Sequence, residues 1–221
     1  NKNSSYIKFR LKSVTTKSED ISYQGIEVLR NQDYTLNKNS SIIEINKNTF
    51  YDDLLLNISY DSDTLDLGKE KNPFRSSLRV KLPHKIIDTM QLRQSFVGKI
   101  INDRVSYLSS KKNNSYIYAN TSSLGRYIIS RDTLEPEIKP INFKNNANIK
   151  GKRSLRLRLK DELSGIKKYS SYINGIWALF EYEPKSNLIF HNLSDGIINN
   201  GENELIIKYE DGVGNLSLIH I

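Results

Sequence analysis

Three histidines are the residues of this chain best suited to bind zinc or to act as a base near neutral pH. His84, His191 and His220 lie far apart in the sequence, and neither an HExxH nor an HxH spacing is present. Cysteine is absent, so the chain has no thiol nucleophile, no thiolate metal ligand and no disulfide. We therefore expect each histidine to be structural or solvent-exposed, and we predict no metal site and no cofactor.

Other catalytic chemistry also lacks a local signature. No GxSxG, P-loop or GxGxxG motif occurs. Glu181 and Glu183 lie two apart on a predicted strand and would share a face, as the paired carboxylates of a glycosidase do. Pro184 follows them, however, and a hydrated edge near a turn is the favoured interpretation. We predict that this chain is not an enzyme.

Two aspartate turns offer oxygen ligands for calcium. Asp161, with Glu162 and Ser164, opens the segment DELSG, and Asp211, with Asn215, bounds DGVGN. The alternative is that both aspartates accept backbone N–H bonds inside glycine-containing turns. We favour the turn role, because the glycines already explain the spacing. The residues predicted to fix turns are Asp161, Gly165, Asn174, Gly175, Asp211, Gly214 and Asn215.

Positive charge is concentrated in one part of the chain. Lys and Arg number 33 against 25 Asp and Glu, a net charge of +8, and residues 138–160 contain no acidic residue. This segment could bind anionic lipid headgroups or an anionic glycan, or it could be a solvated strand face that guards an edge. No helical reading head, RNP motif or zinc knuckle points to nucleic acid. The candidate patch consists of Lys144, Lys150, Lys152, Arg153, Arg156, Arg158 and Lys160.

Trp177 is the only tryptophan, and it follows an Asn174-Gly175 pair. A large aromatic residue in a sandwich strand usually fills or caps the core. The alternative is a stacking platform for a sugar ring, although a single exposed aromatic residue makes a poor lectin site. The core role is the favoured interpretation of Trp177.

Alternating strands and tight turns predict an all-β fold. Leu155, Leu157 and Leu159 alternate with basic residues, a period of two that places leucines on one face and cations on the other. Asn-Gly between apolar runs predicts a type I′ hairpin. Similar short strands follow one another from residues 6–12 onward, and residues 85–94 are the one helical candidate. We predict two consecutive antiparallel β-sandwich domains, the second immunoglobulin-like or fibronectin type III-like.

Prolines predict the boundary between these domains. Pro136 and Pro140 fix an extended backbone in RDTLEPEIKP. We predict a first domain at 1–131, a linker and first strand at 132–140 and a second domain at 141–221. The polar stretch 61–73 reads as a loop or as an internal joint of the first domain. No apolar run approaches the roughly 20 residues of a membrane-spanning helix.

Four segments carry a resemblance to a known family. RYIISRDTLEPEIKP, LRLKDELSGIKKY, INGIWALFEYEPK and GENELIIKYEDGVGN together resemble the C-terminal region of Bacteroidota lysostaphin/LytM-type zinc metallopeptidases. In that family a peptidoglycan-cleaving domain is followed by β-rich accessory domains. The family's zinc ligands come from HxxxD and HxH motifs, and no HxH occurs here, so no catalytic residue is carried over.

The resemblance implies a function and a location for this chain. It would be a non-catalytic accessory or docking region of an envelope zinc metallopeptidase that acts on peptidoglycan, excised or processed from a longer polypeptide. Its place would be the periplasm or the outer membrane, and its partners an upstream peptidase domain or other envelope proteins. Two alternatives remain open: a module that binds glycan or an anionic polymer, and a scaffold subunit of an outer-membrane assembly.

Overall fold

The computed structural model describes residues 25–69 and 72–221. In this part of the chain twenty strands are accompanied by one short α-helix and one 3₁₀ turn, and every strand pair is antiparallel. The predicted all-β sandwich class is therefore confirmed. The strand predicted at residues 6–12 lies outside the described residues.

Twelve strands, β1 to β12, form what we call the first module. One five-stranded sheet has the order β10-β11-β7-β3-β2, a second has the order β5-β6-β12-β8-β9, and β1 pairs with β4. The strands are β1 Ile26–Val28, β2 Tyr34–Lys38, β3 Ser41–Ile45, β4 Leu54–Leu56, β5 Ser59–Asp61, β6 Thr64–Asp66, β7 Leu78–Pro83, β8 Ser95–Ile101, β9 Arg104–Leu108, β10 Ser110–Lys112, β11 Tyr116–Thr121 and β12 Arg126–Arg131.

The first core lies between these sheets. Leu78, Val80 and Leu82 of β7 point inward while Arg79 and Lys81 stay at the surface, as the period of two requires. Tyr127 of the opposite sheet is fully buried, and its hydroxyl donates to Ser123 O. Helix α1, Thr89–Gln94, leads into β8 and is capped by Asp88, whose carboxylate accepts from Gln91 N at 2.7 Å.

Eight strands, β13 to β20, form the second module. They make two four-stranded sheets with the orders β13-β14-β18-β17 and β16-β15-β19-β20, the A-B-E-D and C′-C-F-G arrangement of an immunoglobulin-like sandwich. The strands are β13 Glu137–Pro140, β14 Ser154–Lys160, β15 Ile166–Ile173, β16 Ile176–Trp177, β17 Glu181–Glu183, β18 Leu188–Asn192, β19 Leu205–Asp211 and β20 Leu216–His220. A 3₁₀ turn at Leu193–Asp195 follows β18.

The second core follows from strict alternation on two strands. Leu155, Leu157 and Leu159 of β14 are buried and face Ile207 and Tyr209 of β19 across the sandwich. At about 25 cal/mol for each Å² of apolar surface removed from water, such rows of large side chains provide the main stabilising term. The second core is separate from that of the first module.

The Asn-Gly hairpin connects β15 to β16. Asn174 and Gly175 have φ of 52° and 75°, the left-handed values that a type I′ turn needs. Asn174 also binds the neighbouring loop, accepting from Glu204 N at 3.0 Å and donating to Asn203 Oδ1 at 2.8 Å. The turn therefore fixes both the hairpin and the start of β19.

Several element predictions need correction. The apolar and β-branched residues of segment 48–60 predict a single strand, but the segment contains two short ones, β4 and most of β5. Strand β6 lies within the stretch 61–73, which is predicted to be a loop or an internal joint. Strand β2 was missed, because Asn, Lys and Thr dilute its apolar pattern. The apolar residues 176–182 predict one strand after the Asn-Gly turn, but the chain leaves the first sheet after β16 and joins the other sheet of the sandwich at β17. No helix of the described residues is long and apolar enough to cross a membrane.

Candidate functional site

Three carboxylates meet where the two modules join. Asp132 directly follows β12, Asp161 follows β14 and Asp211 ends β19. One ligand atom from each lies within 4.8 Å of the others. Within residues 25–69 and 72–221 these three form the one group of acidic or histidine side chains with metal-binding spacing. We call it the junction cluster.

Asp211 organises the turn between β19 and β20. Its Oδ1 accepts from the backbone N–H groups of Val213, Gly214 and Asn215 at 3.0, 2.7 and 2.8 Å. Gly214 has φ of 96°, which favours glycine at this position. The side chain of Asp211 is fully buried, so the turn holds a carboxylate out of contact with water.

Asp161 organises the turn between β14 and β15 in a similar way. Its Oδ2 accepts from Gly165 N at 2.6 Å and from Leu163 N at 3.1 Å. Burial raises the pKa of the Asp161 carboxyl, the two N–H donors lower it, and the neighbouring charges of Asp132 and Asp211 raise it again; the net pKa lies above the usual value. The cluster therefore places negative charges against one another in a poorly hydrated space.

Asp132 connects the modules. Its Oδ1 accepts from Leu134 N at 3.2 Å in the linker, and its Oδ2 accepts from Ser164 N at 3.1 Å in the turn that follows β14. Asp132 is 2% exposed. A single carboxylate at the end of the first module thus fixes the linker and the second module together.

Asn215 supplies the amide at the centre of this junction. Its Nδ2 donates to Asp132 O, Leu134 O and Asp211 Oδ2 at 3.0, 3.0 and 2.8 Å. Its Oδ1 accepts from Gln94 Nε2 at 2.9 Å, at the end of α1. The first module, the linker and the last turn of the second module therefore share one buried polar network.

Gly212 allows the close approach of the two modules. Tyr107 of β9 donates its hydroxyl to Gly212 O at 2.9 Å. A Cβ added at Gly212 would lie 2.4 Å from Ser164 O and 2.9 Å from the Tyr107 ring. Only glycine fits between these groups without a shift of backbone atoms.

Three members of the basic patch predicted from the sequence lie together on one strand. Arg156, Arg158 and Lys160 lie exposed on the outer face of β14, opposite the buried leucines. Lys160 binds Glu162 at 2.7 Å, and β13 brings Lys139 beside Arg158. The other predicted members lie on the connection between β13 and β14 and do not form a single surface row with these three. They are Lys144, Lys150, Lys152 and Arg153.

Trp177 is 59% exposed, which contradicts the favoured core role. The β15–β16 register pairs Trp177 with Tyr172. Beyond Tyr172, the same row of the sheet continues with Ile206 of β19 and His220 of β20. This places two aromatic residues side by side on the outer face of the sheet. Tyr172 is therefore the second aromatic residue that a sugar-stacking site needs and that the sequence did not reveal.

The histidines have protein partners and do not converge. His84 Nδ1 accepts from Ile86 N at 3.1 Å, so its Nε2 is the donor to Asn113 O at 2.8 Å. His220 binds Glu204 at 2.6 Å. His191 is 2% exposed and its ring stacks on Phe180 at 5.0 Å.

Two HxxxD spacings are present, at His84–Asp88 and His191–Asp195, but neither arrangement resembles a zinc pair. Asp88 caps helix α1, and both nitrogens of His84 are already hydrogen-bonded. His191 Nε2 lies 3.2 Å from Asp195 Oδ2, while its Nδ1 contacts Leu179 O at 2.8 Å. These distances indicate structural roles.

A groove of about 810 Å³ lies at the end of the second module opposite the junction. Asparagines of the connection after β13 line it together with the loop before β19. It contains no group of acidic or histidine side chains with metal-binding spacing among the described residues. Its lining could hydrogen-bond a polar ligand.

The sequence identified two of the three cluster residues and missed the third. Asp161 and Asp211 were considered for calcium and assigned to turns, and the structure shows that they accept turn N–H bonds and also face each other. Asp132 was missed because it lies in the linker segment, where the prolines dominated the interpretation. The position of Asp132, directly before a proline-containing linker, is the sequence feature that could have identified it as a residue of the junction.

Comparison with known proteins gives one family match. Residues 28–132 match the model of a Zu5-like domain. The match covers the first module and ends at Asp132, and it spans slightly under half of the 221 residues. No curated protein matches the chain. The first module is thus similar to a Zu5-like domain.

Proposed function

We propose that this chain is a non-catalytic accessory region that positions or docks a cell-envelope zinc metallopeptidase acting on peptidoglycan. The observation that carries the proposal is the junction, where two sandwiches are held in one orientation by hydrogen bonds. Asp132 accepts from Ser164 N, Asn215 donates to Asp132 O, and Tyr107 donates to Gly212 O. A fixed pair of modules is suited to set the distance between a catalytic domain and its partner. The peptidase itself is inferred from the resemblance of residues 125–215.

The proposal predicts that the catalytic residues are encoded outside this chain. The complete reading frame should contain an HxxxD…HxH block, and the full-length product should bind zinc and release muropeptides from purified sacculi. Deleting residues 25–221 should leave zinc content intact and reduce muropeptide release from sacculi. Muropeptide release by this chain alone, or a reading frame without the zinc block, would contradict the proposal.

A second candidate function is glycan binding, favoured by the aromatic pair on the outer face of the second module. Trp177 and Tyr172 are adjacent across β15 and β16, and Trp177 exposes more than half of its surface. Flat aromatic rings of this kind stack on the apolar face of a sugar, and burial of such rings contributes much of the binding free energy at an interface.

The single tryptophan makes this alternative measurable. Titration with soluble peptidoglycan glycan strands should change the intrinsic fluorescence of the protein. Trp177→Ala should reduce the fraction of protein that sediments with sacculi, and Trp177→Phe should reduce it less. Ile176→Ala is the matched control, because Ile176 is 58% exposed on the same short strand. Equal sedimentation of the three variants and the native protein would argue against this function.

The basic face of β14 gives a distinct test for an anionic polymer. Arg156→Glu with Arg158→Glu should weaken binding to teichoic-type or lipopolysaccharide polymers if the patch is used, and added salt should weaken the native interaction. Lys168→Glu with Lys208→Glu is the control, because it reverses the same number of charges on the other sheet of the second module. Binding that neither variant nor salt changes would exclude the patch.

A further inference from the structure

We propose that the junction cluster of Asp132, Asp161 and Asp211 binds a calcium ion that holds the two modules together. This site goes beyond the proposed accessory function and does not depend on it. It would connect the end of the first module to two turns of the second, so that one ion would bridge the linker, the β14–β15 turn and the β19–β20 turn.

The spacing of the carboxylates suits a single ion. Calcium takes oxygen ligands at about 2.3–2.6 Å, so two ligands on opposite sides of the ion are separated by at most about 5 Å. The three ligand oxygens lie within 4.8 Å of one another. One ion can therefore contact all three carboxylates without a large rearrangement of the backbone.

The charge balance at the cluster also favours binding of a cation. Asp132 and Asp211 are 2% and 0% exposed, and no Lys or Arg of the described residues forms an ion pair with any of the three carboxylates. Lys167 and Lys168, the basic residues of the nearby β15 strand, bind Glu210 instead, each at 2.8 Å. Burying charges without counter-charges is unfavourable, so the protein gains stability if a cation enters.

Two buried hydroxyl groups provide an independent observation. Ser164 is 6% exposed and its Oγ has no hydrogen-bond partner, although its backbone N contacts Asp132 Oδ2. Tyr209 is fully buried and its hydroxyl is also without a partner. Buried polar atoms are almost always hydrogen-bonded, so each unpaired oxygen needs an explanation.

Both hydroxyl groups belong to residues that lie next to the junction cluster. Ser164 Oγ is only a few covalent bonds from the N–H that contacts Asp132. Tyr209 precedes Asp211 by two residues on the same inward face of β19. A calcium ion or its bound water would give both oxygens a partner.

The ligand types favour calcium over other ions. All ligands are oxygen, and neither cysteine nor histidine takes part, which disfavours zinc. Magnesium requires near-octahedral geometry at about 2.0–2.1 Å and keeps several waters, whereas calcium tolerates an irregular set of carboxylates and hydroxyls. Asp161 Oδ1 accepts no hydrogen bond from the described residues and is thus available for the ion.

The test is calcium titration of the purified chain after treatment with a chelator. Isothermal titration calorimetry should give one site with a dissociation constant of about 0.1–1 mM, the range of extracellular calcium modules. About 10 mM calcium should raise the melting temperature by about 4–8 °C, and magnesium should raise it much less. No binding heat together with an unchanged melting temperature would overturn the proposal.

The variant Asp161→Asn distinguishes the calcium-binding role of Asp161 from its role in the turn. The asparagine keeps an oxygen that can accept the N–H bonds of Leu163 and Gly165 but removes one negative charge. We expect this variant to weaken calcium binding at least tenfold, to lose the calcium-dependent rise in melting temperature and to melt above the native protein in chelator. Glu162→Gln is the matched control, because Glu162 is the exposed neighbour that binds Lys160, and it should bind calcium like the native protein.

The same experiment distinguishes the simplest alternative. If the cluster is stabilised by a proton on one carboxyl group instead of a cation, Asp161→Asn will raise the melting temperature while calcium changes neither protein. That result would overturn the proposal. Equal calcium affinity of the native protein, Asp161→Asn and Glu162→Gln would also overturn it.

Discussion

The two module cores and the junction between them are stabilised by opposite kinds of interaction. Each core is a set of aliphatic and aromatic side chains from facing sheets, such as Leu157 and Ile207 in the second module. The junction consists of buried carboxylates, amides and N–H groups around Asp132 and Asn215. Apolar contacts are non-directional and tolerate substitution by residues of similar volume, whereas a buried polar network requires each partner in its position. The comparison predicts different responses to mutation.

The largest effect is expected in the second core. Leu157→Ala removes a fully buried side chain from the centre of β14 and should reduce the free energy of unfolding by about 2–5 kcal/mol. Leu179→Ala, at a leucine that is 55% exposed, is the control and should change it by less than about 1 kcal/mol. Urea denaturation followed by circular dichroism measures both, and equal losses would show that the second core does not determine stability.

The next largest effect is expected at the junction. Asp211→Ala leaves three turn N–H groups and the amide of Asn215 without their acceptor, at a cost of about 2–4 kcal/mol. Asp52→Ala is the control, because Asp52 is exposed on a loop of the first module and its backbone is outside the left-handed region. Thermal denaturation should separate the two variants, and a stable Asp211→Ala protein would mean that the turn does not need its carboxylate.

Relative motion of the modules can be separated from stability by Gly212→Ala. The added Cβ would meet Ser164 O and the Tyr107 ring, so we expect the junction to open while both cores persist. Small-angle scattering should show a larger radius of gyration with unchanged far-ultraviolet circular dichroism. An unchanged scattering curve would show that the modules adapt without separating.

A smaller effect is expected from a single hydrogen bond at the junction. Tyr107→Phe removes the hydroxyl that donates to Gly212 O but keeps the ring and its edge contact with Phe96 at 5.0 Å. The loss should be about 0.5–1.5 kcal/mol in unfolding free energy. Tyr51→Phe is the control, because Tyr51 is 53% exposed in the first module, and a similar change in both variants would argue against a special role for Tyr107.

The smallest effect is expected at the surface and depends on pH. Hydrogen bonds from Lys167 and Lys168 lower the pKa of the Glu210 carboxyl. Because the folded pKa is lower than the unfolded pKa, this interaction stabilises the protein above the unfolded pKa and is lost as the pH falls through the folded pKa. Both ammonium groups are more than half exposed, so Glu210→Gln should cost at most about 1 kcal/mol at pH 7.

The pH series provides the control for this last variant. The difference between Glu210→Gln and the native protein should shrink as the pH falls through the lowered pKa of Glu210, and about 0.5 M salt should reduce it at pH 7. A difference in unfolding free energy that is constant from pH 3 to pH 7 would show that the effect comes from packing and not from charge.

The same contrast explains what the sequence could and could not predict. Alternation in Leu155–Lys160 and the Asn174-Gly175 turn predicted strand faces and hairpin correctly, because these features depend on neighbours in the chain. The junction joins Asp132, Asp161 and Asp211, which only the complete fold brings together, and single-sequence patterns contain no such information. Trp177 shows the same limit, because its exposure depends on the passage of residues 178–180 from one sheet to the other.

The hydrogen bonds of the junction join residues far apart in the sequence, so they can form only late in the synthesis of this chain. Tyr107 and Gly212 are separated by 105 positions, and Gln94 and Asn215 by 121. The first module can leave the ribosome and fold while the partner atoms of its exposed side have not yet been translated. Docking therefore follows the folding of the first module, and a nascent chain arrested before residue 212 would present that polar surface, uncovered, to chaperones and proteases.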